Sequence, residues 1–317
     1  MGRRKALLGR VSDVDLRLLR IFQTVVNCGG LSAAEIDLGI GRSTISTHIG
    51  ELEQRLGTRL CQRGRGGFAL TDRGKKIYEA SLSLMKSLDD FRTEVNADQD
   101  GMTGEINIGV VDNIIWDKEA QLSEVFRQFS GIASNIDMTL YVYSPDEIER
   151  RILDGRLDVG IAPVMNELAG LHYDHLFDEI NYLYCGRDHA LFNIPDSEIS
   201  TADLVRSQYV KKGYAVNSNL QQVNSSMGKR VVAYHVEAFA LLILSGCYIG
   251  FLPEHYAAVW EGSGEIRRLL PKRYEAVVSF AAMTAKGRPR TAATDAFLSQ
   301  LLDSKRADDA ATRAKIA

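Results

Sequence analysis

Residues 42–57 read RSTISTHIGELEQRLG, and this stretch decides how the first part of the chain folds. Its apolar residues lie three or four positions apart, which predicts one buried face of a helix. A similar spacing predicts a helix over 14–28, and a short helix is expected over 33–38, with Ser32 as its N-cap and Glu35 as the capping-box partner. Only Gly-Ile-Gly separates the short helix from the third one. The three helices therefore form a helix-turn-helix pattern.

A hairpin and a long helix follow. Strands are predicted over 61–63 and 68–70, and the turn between them places Arg65 among glycines, as in a wing that lies over phosphates. Thr71-Asp72 is expected to cap a helix over 73–97. The apolar residues of this helix are spaced nearly as in a coiled-coil seam: Ile77, Leu84, Leu88 and Phe91. A helix with one such face needs a partner, most simply a second copy of itself.

The composition excludes several protein classes. Apolar residues make up 45% and charged residues 25% of the 317 residues, which rules out a disordered tail and a collagen-like fibre. No apolar run reaches the roughly 18 residues of a membrane span, and the basic N-terminus lacks the apolar core of a signal peptide. The four cysteines are scattered without a C-x-x-C spacing. We therefore expect a cytoplasmic protein with reduced thiols, no disulfide framework and no metal site.

The charge is unevenly distributed along the chain. Residues 1–76 contain 14 Lys and Arg against 7 Asp and Glu, a net charge of +7, and the remainder carries −10. A basic head on an acidic body predicts that only the head contacts a polyanion. A solvated basic surface remains the alternative interpretation.

From residue 104 the sequence alternates between strands and helices, which predicts α/β architecture with a parallel sheet. The segment 171–187 is either two strands or a crossover, and the chain after Ser304 is expected to be a frayed polar tail. Strands are predicted at 105–111, 136–142, 157–162, 207–211, 230–234, 247–252 and 277–284. Helices are predicted at 118–131, 146–154, 217–227, 238–245 and 291–303.

Several sequence motifs resemble those of the LysR-type transcriptional regulators. In the head these motifs are LRLLRIFQTVVNCGGLSAAE (16–35), STISTHIGELEQRLGTRLCQR (43–63) and FALTDRG (68–74). In the body they are Ile108-Gly109, LDGRLDVGI (153–161) and GFLP (250–253). Two positions depart from the family pattern. Arg42 stands where a glutamine is common, which puts the usual base preference in doubt, and Cys61 replaces a common phenylalanine.

The resemblance implies an α+β multidomain fold. An N-terminal winged helix-turn-helix DNA-binding domain (1–72) would precede a linker and dimerisation helix (73–103). A periplasmic-binding-protein-like effector domain (104–306) of α/β type would follow, and 307–317 would be a flexible tail. Two subdomains are expected in the effector domain, one formed by 104–178 with 277–306 and the other by 179–276.

A recognition helix enters the major groove with its N-terminal residues on base edges. The predicted DNA-binding residues are Ser32, Arg42, Ser43, Thr44, Ser46, Thr47, His48, Arg63 and Arg65. Arginine suits guanine or a phosphate, and arginines at a wing tip suit phosphates. The alternatives are that Ser43 and Thr44 merely cap the helix, that His48 is a solvated helix residue and that the hairpin tip is solvated.

The cleft between the two subdomains is the predicted effector site, because ligands bind at the carboxyl ends of strands. Its predicted lining is Val111, Asp112, Asn113, Ile114, Tyr143, Ser144, Pro163, Val164, Tyr209, Val210, Lys211, His235, Val236, Phe251 and Leu252, with Trp116 and Tyr214 nearby. Polar groups beside flat aromatic walls favour a small amphipathic or aromatic organic acid, and Asp112 argues against a simple dianion.

Some of these residues have simpler interpretations. Val111, Val210 and Leu252 could belong to the core, and Asp112 could cap the helix that follows it. Tyr143 and Phe251 are individually more typical of packing. A cleft filled by its own side chains, in a regulator controlled by abundance or by a protein partner, is the alternative function.

An enzyme is disfavoured. His172 and His175 lie near Asp174 and Asp178, but residues three apart on a strand face opposite sides and do not converge on a metal. No G-x-S-x-G, H-E-x-x-H or P-loop spacing appears. The expected partners are double-stranded DNA with a dyad-symmetric operator, a second copy in a dimer or tetramer, RNA polymerase and the effector. No cofactor and no membrane are expected.

Overall fold

The computed structural model describes residues 11–64, 67–96, 103–116, 121–214, 227–228 and 230–316. These residues form two compact units, which meet in sequence at Arg92 and Thr93. The boundary falls inside the predicted linker helix. No helix among the described residues combines the length and apolar character that a membrane crossing requires.

The first unit has the predicted order of elements. It contains α1 (Asp13–Asn27), α2 (Ala34–Leu38), α3 (Arg42–Leu56), β1 (Cys61–Gly64), β2 (Gly67–Leu70) and α4 (Asp72–Asn96). Strands β1 and β2 pair antiparallel as a hairpin. The apolar faces of α1 and α3 meet in a core that includes Phe22, Ile45, Ile49 and Leu52. The helical periodicity therefore predicted this unit correctly.

The start of α2 differs from the prediction. Helix α2 begins at Ala34, Ala33 takes the N-cap position and no side chain caps it, so the Ser32 capping box is wrong. The Glu35 carboxylate instead accepts a hydrogen bond from the backbone N–H of Arg42, the first residue of α3. A carboxylate is stabilising at a helix N-terminus. Glu35 thus fixes the start of the third helix rather than the second.

The hairpin is tied to α4 at the sequence word Leu-Thr-x-x-Gly. The Thr71 hydroxyl accepts the Gly74 N–H at 2.9 Å, which caps α4 as predicted. The Thr71 N–H donates to the Leu60 carbonyl at 2.9 Å. A Cβ atom on Gly74 would lie 2.0 Å from the same carbonyl oxygen. Only glycine permits this approach between α4 and the start of the hairpin.

An ion pair between a buried aspartate and a partly exposed arginine joins α1 to α3. Arg55 donates to Asp15 at 2.6 Å, and Asp15, at 3% exposure, also accepts from Ser12. The Arg55 guanidinium holds the pKa of Asp15 well below its usual value. The neighbouring carboxylate of Glu53 accepts the N–H groups of Leu60 and Cys61 at 2.7 and 3.1 Å. Two acids therefore fix α3 against its neighbours.

The second unit is built on one mixed sheet. Its strands are β3 (Thr103–Val110), β4 (Asn135–Val142), β5 (Val159–Pro163), β6 (Leu171–Gly186), β7 (Gln208–Lys212), β8 (Arg230–Ala233), β9 (Tyr248–Pro253), β10 (Ile266–Arg268) and β11 (Glu275–Ala285). The described strands run in the order β4-β3-β5-β11-β6-β9-β7-β8, and β10 pairs with β6. The pairs β3–β4, β3–β5, β7–β8 and β7–β9 are parallel.

Helices cover this sheet. A short 3-10 turn at Ile114–Trp116 precedes α5 (Leu122–Ile132), and α6 (Pro145–Leu153), α7 (Thr201–Arg206), α8 (Val236–Leu244), α9 (Glu254–Gly262) and α10 (Ala292–Ile316) follow. Helix α6 packs closely on β5, because a Cβ atom on Gly160 would lie 2.3 Å from the Ile148 side chain. Only a residue without a side chain allows this packing.

The segment 171–187, whose form the sequence left open, is one long strand. Strand β6 pairs with β11 on one side and with β9 on the other. It therefore connects the half of the sheet around β3 to the half around β7. The predicted subdomain boundary after residue 178 falls inside this strand.

Several helices and strands differ in extent from the sequence prediction. The last helix continues to Ile316, so the predicted polar tail is wrong as to its secondary structure. The tail has no glycine or proline and is rich in alanine, lysine and arginine, which favour helix. Helix α7, helix α9 and strand β10 were not predicted. The predicted helix at 217–227 lies outside the described residues except at its last residue.

Candidate DNA-binding face and effector cleft

The first turns of α3 present a polar face. Arg42, Ser43, Thr44 and Thr47 are exposed, while Ile45 and Ile49 on the opposite face are buried. The Thr47 hydroxyl donates to the Ser43 carbonyl at 3.0 Å, which leaves its oxygen free to accept. Short hydroxyl side chains beside an arginine allow a close approach to base edges.

The capping alternative for this face does not hold. Gly41 occupies the N-cap position of α3, and no side chain caps the helix. Ser43 and Thr44 therefore do not serve as caps. Ser46 and His48 are half-buried and Ser32 is exposed. The Nδ1 atom of His48 is buried and has no hydrogen-bond partner among the described residues, so His48 is not simply a solvated helix residue.

The hairpin tip can be described only in part. Arg63 lies in β1 opposite Phe68 in the register, and its side chain is not described. Arg65 lies outside the described residues. Gly64 and Gly67, which the sequence placed in the turn, instead pair as the last residue of β1 and the first residue of β2.

The predicted seam of α4 is partly used within the first unit. Ile77, Leu84 and Leu88 pack against the core of this unit, and the Tyr78 hydroxyl donates to Asn27 at 2.5 Å. Phe91 remains 67% exposed. Among the four residues of the predicted seam, Phe91 is thus the exposed one.

A hydrogen bond joins the loop after β3 to the start of α8, in the region of the predicted effector cleft. The Val236 N–H donates to the Asp112 carboxylate at 2.6 Å, and the two residues are 124 positions apart in sequence. Asp112 follows β3, and Val236 is the first residue of α8, which follows β8. The His235 Nδ1 atom lies 3.8 Å from the same carboxylate oxygen. Asp112 thus caps a helix in the other half of the unit, whereas the sequence offered it as a cap for the next helix.

The structure adds a lysine that the sequence pattern did not single out. Lys212, at the end of β7, is half-buried. Burial lowers the pKa of Lys212, whereas the carboxylates of Glu179 and Asp112 raise it. The Lys212 Nζ atom lies 5.9 Å from the centre of the Tyr214 ring. The part of the chain that the structure describes gives the Lys212 ammonium no ion pair within 4.0 Å.

The prediction chose the neighbouring lysine. Lys211 is also half-buried, but successive residues of a strand point to opposite faces. Glu179 and Asp112 are the carboxylates that raise the pKa of Lys212, the next residue along the strand. A shift of one residue in strand register therefore decides whether Lys211 or Lys212 faces these carboxylates.

Strand β6 contributes a buried polar pair beside this lysine. Glu179 is 7% exposed and Asn181 is fully buried. The Asn181 side-chain amide donates to the Glu179 carboxylate at 2.8 Å, and the His255 Nε2 atom lies 4.0 Å from the other Glu179 oxygen. The Asn181 Oδ1 atom has no hydrogen-bond partner among the described residues. This pair could have been identified in the sequence as two polar residues at alternate positions of an otherwise apolar strand.

The loops after β3 and β4 hold three predicted polar residues. Asn113 has a φ of +70°, and its Oδ1 atom is buried without a partner in the described chain. Ser144 is the N-cap residue of α6, but its hydroxyl does not bond to that helix. The Tyr143 ring stacks on Tyr141 at 5.5 Å with the Arg151 guanidinium 4.1 Å from its centre. Tyr143 therefore serves packing, which was its alternative interpretation.

Most of the predicted apolar lining belongs to the core. The residues that are almost fully buried are Val111, Ile114, Tyr209, Val210, Val236, Phe251 and Leu252. Their side chains pack in the apolar clusters that support the cleft loops, and Ile114 also lines a pocket. Pro163 is buried at the end of β5, and Val164 is half-buried. The Trp116 side chain is not described. Burial raises the pKa of Tyr214.

Two further features of the second unit are a pocket and two His–Asp pairs. A pocket of about 430 Å³ is lined mainly by apolar residues of β3, β4 and α5, and Ile114 is its member from the predicted set. On β6, His172 pairs with Asp174 at 3.4 Å and His175 pairs with Asp178 at 3.1 Å. The four side chains thus form two separate pairs.

Known proteins resemble both units. Residues 99–306 match the LysR substrate binding domain, and residues 16–75 match the bacterial regulatory helix-turn-helix protein of the lysR family. The HTH-type transcriptional activator BauR of Pseudomonas aeruginosa is 42% identical over 295 residues, which is 93% of this chain and 97% of BauR. The HTH-type transcriptional regulator GltR of Bacillus subtilis is 23% identical over 297 residues, 92% of this chain and 97% of GltR.

Solved structures share the fold. Full-length CbnR, a LysR family transcriptional regulator, matches with a TM-score of 0.63 and 19% identity over 92% of this chain and 99% of CbnR. CbnR complexed with its target DNA matches with a TM-score of 0.62 and 20% identity, over 92% of this chain and 98% of that chain. With a family match over more than half its length and a 42% identical relative, this chain belongs to the LysR family of transcriptional regulators, which are DNA-binding proteins and not enzymes.

Proposed function

We propose that this regulator reads a specific DNA sequence with the exposed face of α3 and binds a small organic acid in the cleft of its second unit. The exposed polar face at the start of α3 carries the DNA-binding part of the proposal, because no residue of that face is used to cap the helix. The charged cleft around Asp112 and Lys212 supports the effector part.

On DNA, Arg42 contacts a guanine edge or a phosphate, and Ser43, Thr44 and Thr47 approach neighbouring bases. Ser32, Ser46, His48 and the wing arginines Arg63 and Arg65 complete the surface. Phosphate contacts position the protein, and base contacts select the sequence. Because one recognition helix covers a single half-site, tight binding requires a dimer on a dyad-symmetric operator. The exposed Phe91 end of α4 supports pairing with a second copy.

In the body, the effector contacts polar groups of the cleft, and Asp112, Asn113, Ser144, Lys212 and His235 are the proposed set. Effector binding changes the angle between the two halves, and this biases the placement of the DNA-binding heads in a dimer or tetramer. A ligand shifts such an equilibrium only by its different affinity for the two states. The altered DNA bend then changes the contact with RNA polymerase, in the cytoplasm at the nucleoid.

A second candidate function is regulation without a small ligand. The hydrogen bond between Val236 and Asp112, together with the packing of Tyr143, supports it because the cleft is already linked by its own groups. A regulator of this kind responds to its own abundance or to a protein partner.

Operator binding tests the first part of the proposal. The operator is selected from random DNA with the full-length protein, and affinity is measured by fluorescence anisotropy. The variant Arg42→Ala should lose about 1–3 kcal/mol of specific binding, the value of a good bidentate base contact. Arg20→Ala, an exposed arginine on α1, is the matched control and should change affinity little. Equal losses in both variants would contradict the assignment of α3 as the reading helix.

A thermal-shift screen of organic acids and aromatic metabolites tests the effector part. A ligand at about 100 times its dissociation constant should stabilise the protein by nearly 3 kcal/mol. A concentration-dependent rise in Tm with one chemical class supports a sensor. The absence of any shift would favour the second candidate function.

A further inference from the structure

The polar end of the cleft combines carboxylates from three different elements. Asp112 follows β3, Asp146 lies in the first turn of α6 and Glu179 lies in β6. All three carboxylates raise the pKa of the Tyr214 phenol, so their fields converge on one side chain. Lys212 is the ammonium that Asp112 and Glu179 act on. The imidazoles of His235 and His255 also lie here, 3.8 Å from the Asp112 carboxylate and 4.0 Å from the Glu179 carboxylate.

The buried Glu179–Asn181 pair on β6 includes a hydrogen-bond acceptor that has no donor among the described residues. The Asn181 amide nitrogen is committed to Glu179, which fixes the orientation of the side chain. Its Oδ1 atom is then left without a donor in the part of the chain that the structure describes, although Asn181 is fully buried. A buried acceptor without a partner loses the free energy of a hydrogen bond. A ligand N–H group beside Glu179 satisfies it.

Whereas Asn181 lacks a hydrogen-bond donor, Lys212 lacks a negatively charged partner among the described residues. Its ammonium is half-buried, its pKa is lowered by burial, and its described neighbours within 6 Å include the Tyr214 ring but no ion-pair partner at 4.0 Å. Buried charges are usually paired. A ligand carboxylate supplies the partner that the chain does not provide at this distance.

We propose that the cleft binds a small amino carboxylate, a zwitterion whose carboxylate pairs with Lys212 and whose ammonium donates to Glu179 and Asn181. This assignment rests on the proposed function, because it takes the cleft to be the effector site. An acid without an amine leaves the Asn181 acceptor unsatisfied and faces the surrounding carboxylates. An amine without a carboxylate leaves Lys212 unpaired. A zwitterion satisfies both ends with no net change in charge.

Calorimetric titration of the full-length protein tests the assignment. The probes are the protein α-amino acids and short ω-amino acids, each compared with the carboxylic acid and the alkylamine of the same carbon number. At least one amino acid should bind about tenfold or more tightly than its two matched compounds, since hydrogen bonds to charged groups are lost in each of them.

Two adjacent lysines provide the control. Lys212→Met should weaken binding of that amino acid by about tenfold or more, whereas Lys211→Met, the neighbouring residue of the same strand, should leave it unchanged. Glu179→Gln preserves the shape of the side chain and should reduce the preference for the amino acid over its matched acid. An unchanged thermal unfolding profile of each variant without ligand shows that the second unit is folded.

Two results would overturn the assignment. One is an acid that binds as tightly as the amino acid of the same length, and the other is the absence of binding by any amino acid in the set. Both leave the wider effector role to the thermal-shift screen, in which a hit from another chemical class would retain the cleft as a sensor. Failure of the amino-carboxylate assignment is therefore distinct from failure of the proposed function.

Discussion

Removal of the Asp112 carboxylate should loosen the contact between the two halves of the effector domain. In the structure this carboxylate accepts the Val236 N–H at 2.6 Å, next to the positive end of the α8 dipole. A hydrogen bond to a charged group contributes about 1.5–3 kcal/mol. Asp112→Ala should therefore shift the equilibrium between closed and open cleft by roughly 10- to 150-fold. Asp112→Asn keeps an acceptor and loses only the charge, which amounts to about 0.3–1 kcal/mol at a helix end.

Hydrogen exchange at the Val236 amide measures this contact directly. Exchange should accelerate by roughly one to two orders of magnitude in Asp112→Ala and by only a few-fold in Asp112→Asn, if exchange occurs from the open state. Asp146→Ala removes a nearby exposed acid and serves as the control. Equal exchange at Val236 in the wild type and in Asp112→Ala would refute the reasoning, because the hydrogen bond would then not limit opening.

Three further predictions concern the first unit. Because Arg55 depresses the pKa of Asp15, this pair contributes stability above the unfolded pKa of about 3.9 and loses it as the pH falls through the folded value. Asp15→Asn should lower stability by about 1–2 kcal/mol near neutral pH and flatten the loss in acid, measured by denaturant unfolding. Gly74→Ala forces a Cβ atom to 2.0 Å from a backbone oxygen and should cost about 1–3 kcal/mol. Gly50→Ala, in open space within α3, should stabilise by up to about 1 kcal/mol. Phe91→Asp should shift the protein towards the monomer in sedimentation analysis, because it places a charge in the exposed apolar end of α4.

Each of these predictions has a contrary outcome. An Asp15→Asn protein whose unfolding free energy follows the same acid profile as the wild type would show that the buried pair does not titrate on unfolding. Equal stabilities of the two alanine variants would show that the start of the hairpin can move away from α4. A dimer unaffected by Phe91→Asp would place the self-association surface elsewhere.

The local pattern of the sequence was sufficient for the first unit. Helical spacing of apolar residues and the glycines around residue 40 predicted α1, α2 and α3, because these signals act over a few positions. The same approach failed at Ser32. Its capping box depends on whether Glu35 turns back to α2 or forward to Arg42, and tertiary contact with α3 decides this.

The surroundings of Asp112 and Lys212 could be predicted only in outline. Strand ends and loops located the region, but the pairing of Asp112 with Val236 spans 124 positions and carries no local signal. The choice between Lys211 and Lys212 depends on strand register, where a shift of one residue reverses the face. Glu179 and Asn181 lie in a strand whose length the sequence left open, so their place beside the cleft followed only from the sheet order.

In the function proposed for this regulator, α3 reads DNA and a separate cleft senses a ligand. The most direct test measures operator affinity and effector affinity side by side in Arg42→Ala and Lys212→Met. Arg42→Ala should weaken operator binding and leave effector binding unchanged, and Lys212→Met should do the reverse. Loss of both affinities in both variants would contradict the division of labour between the two units.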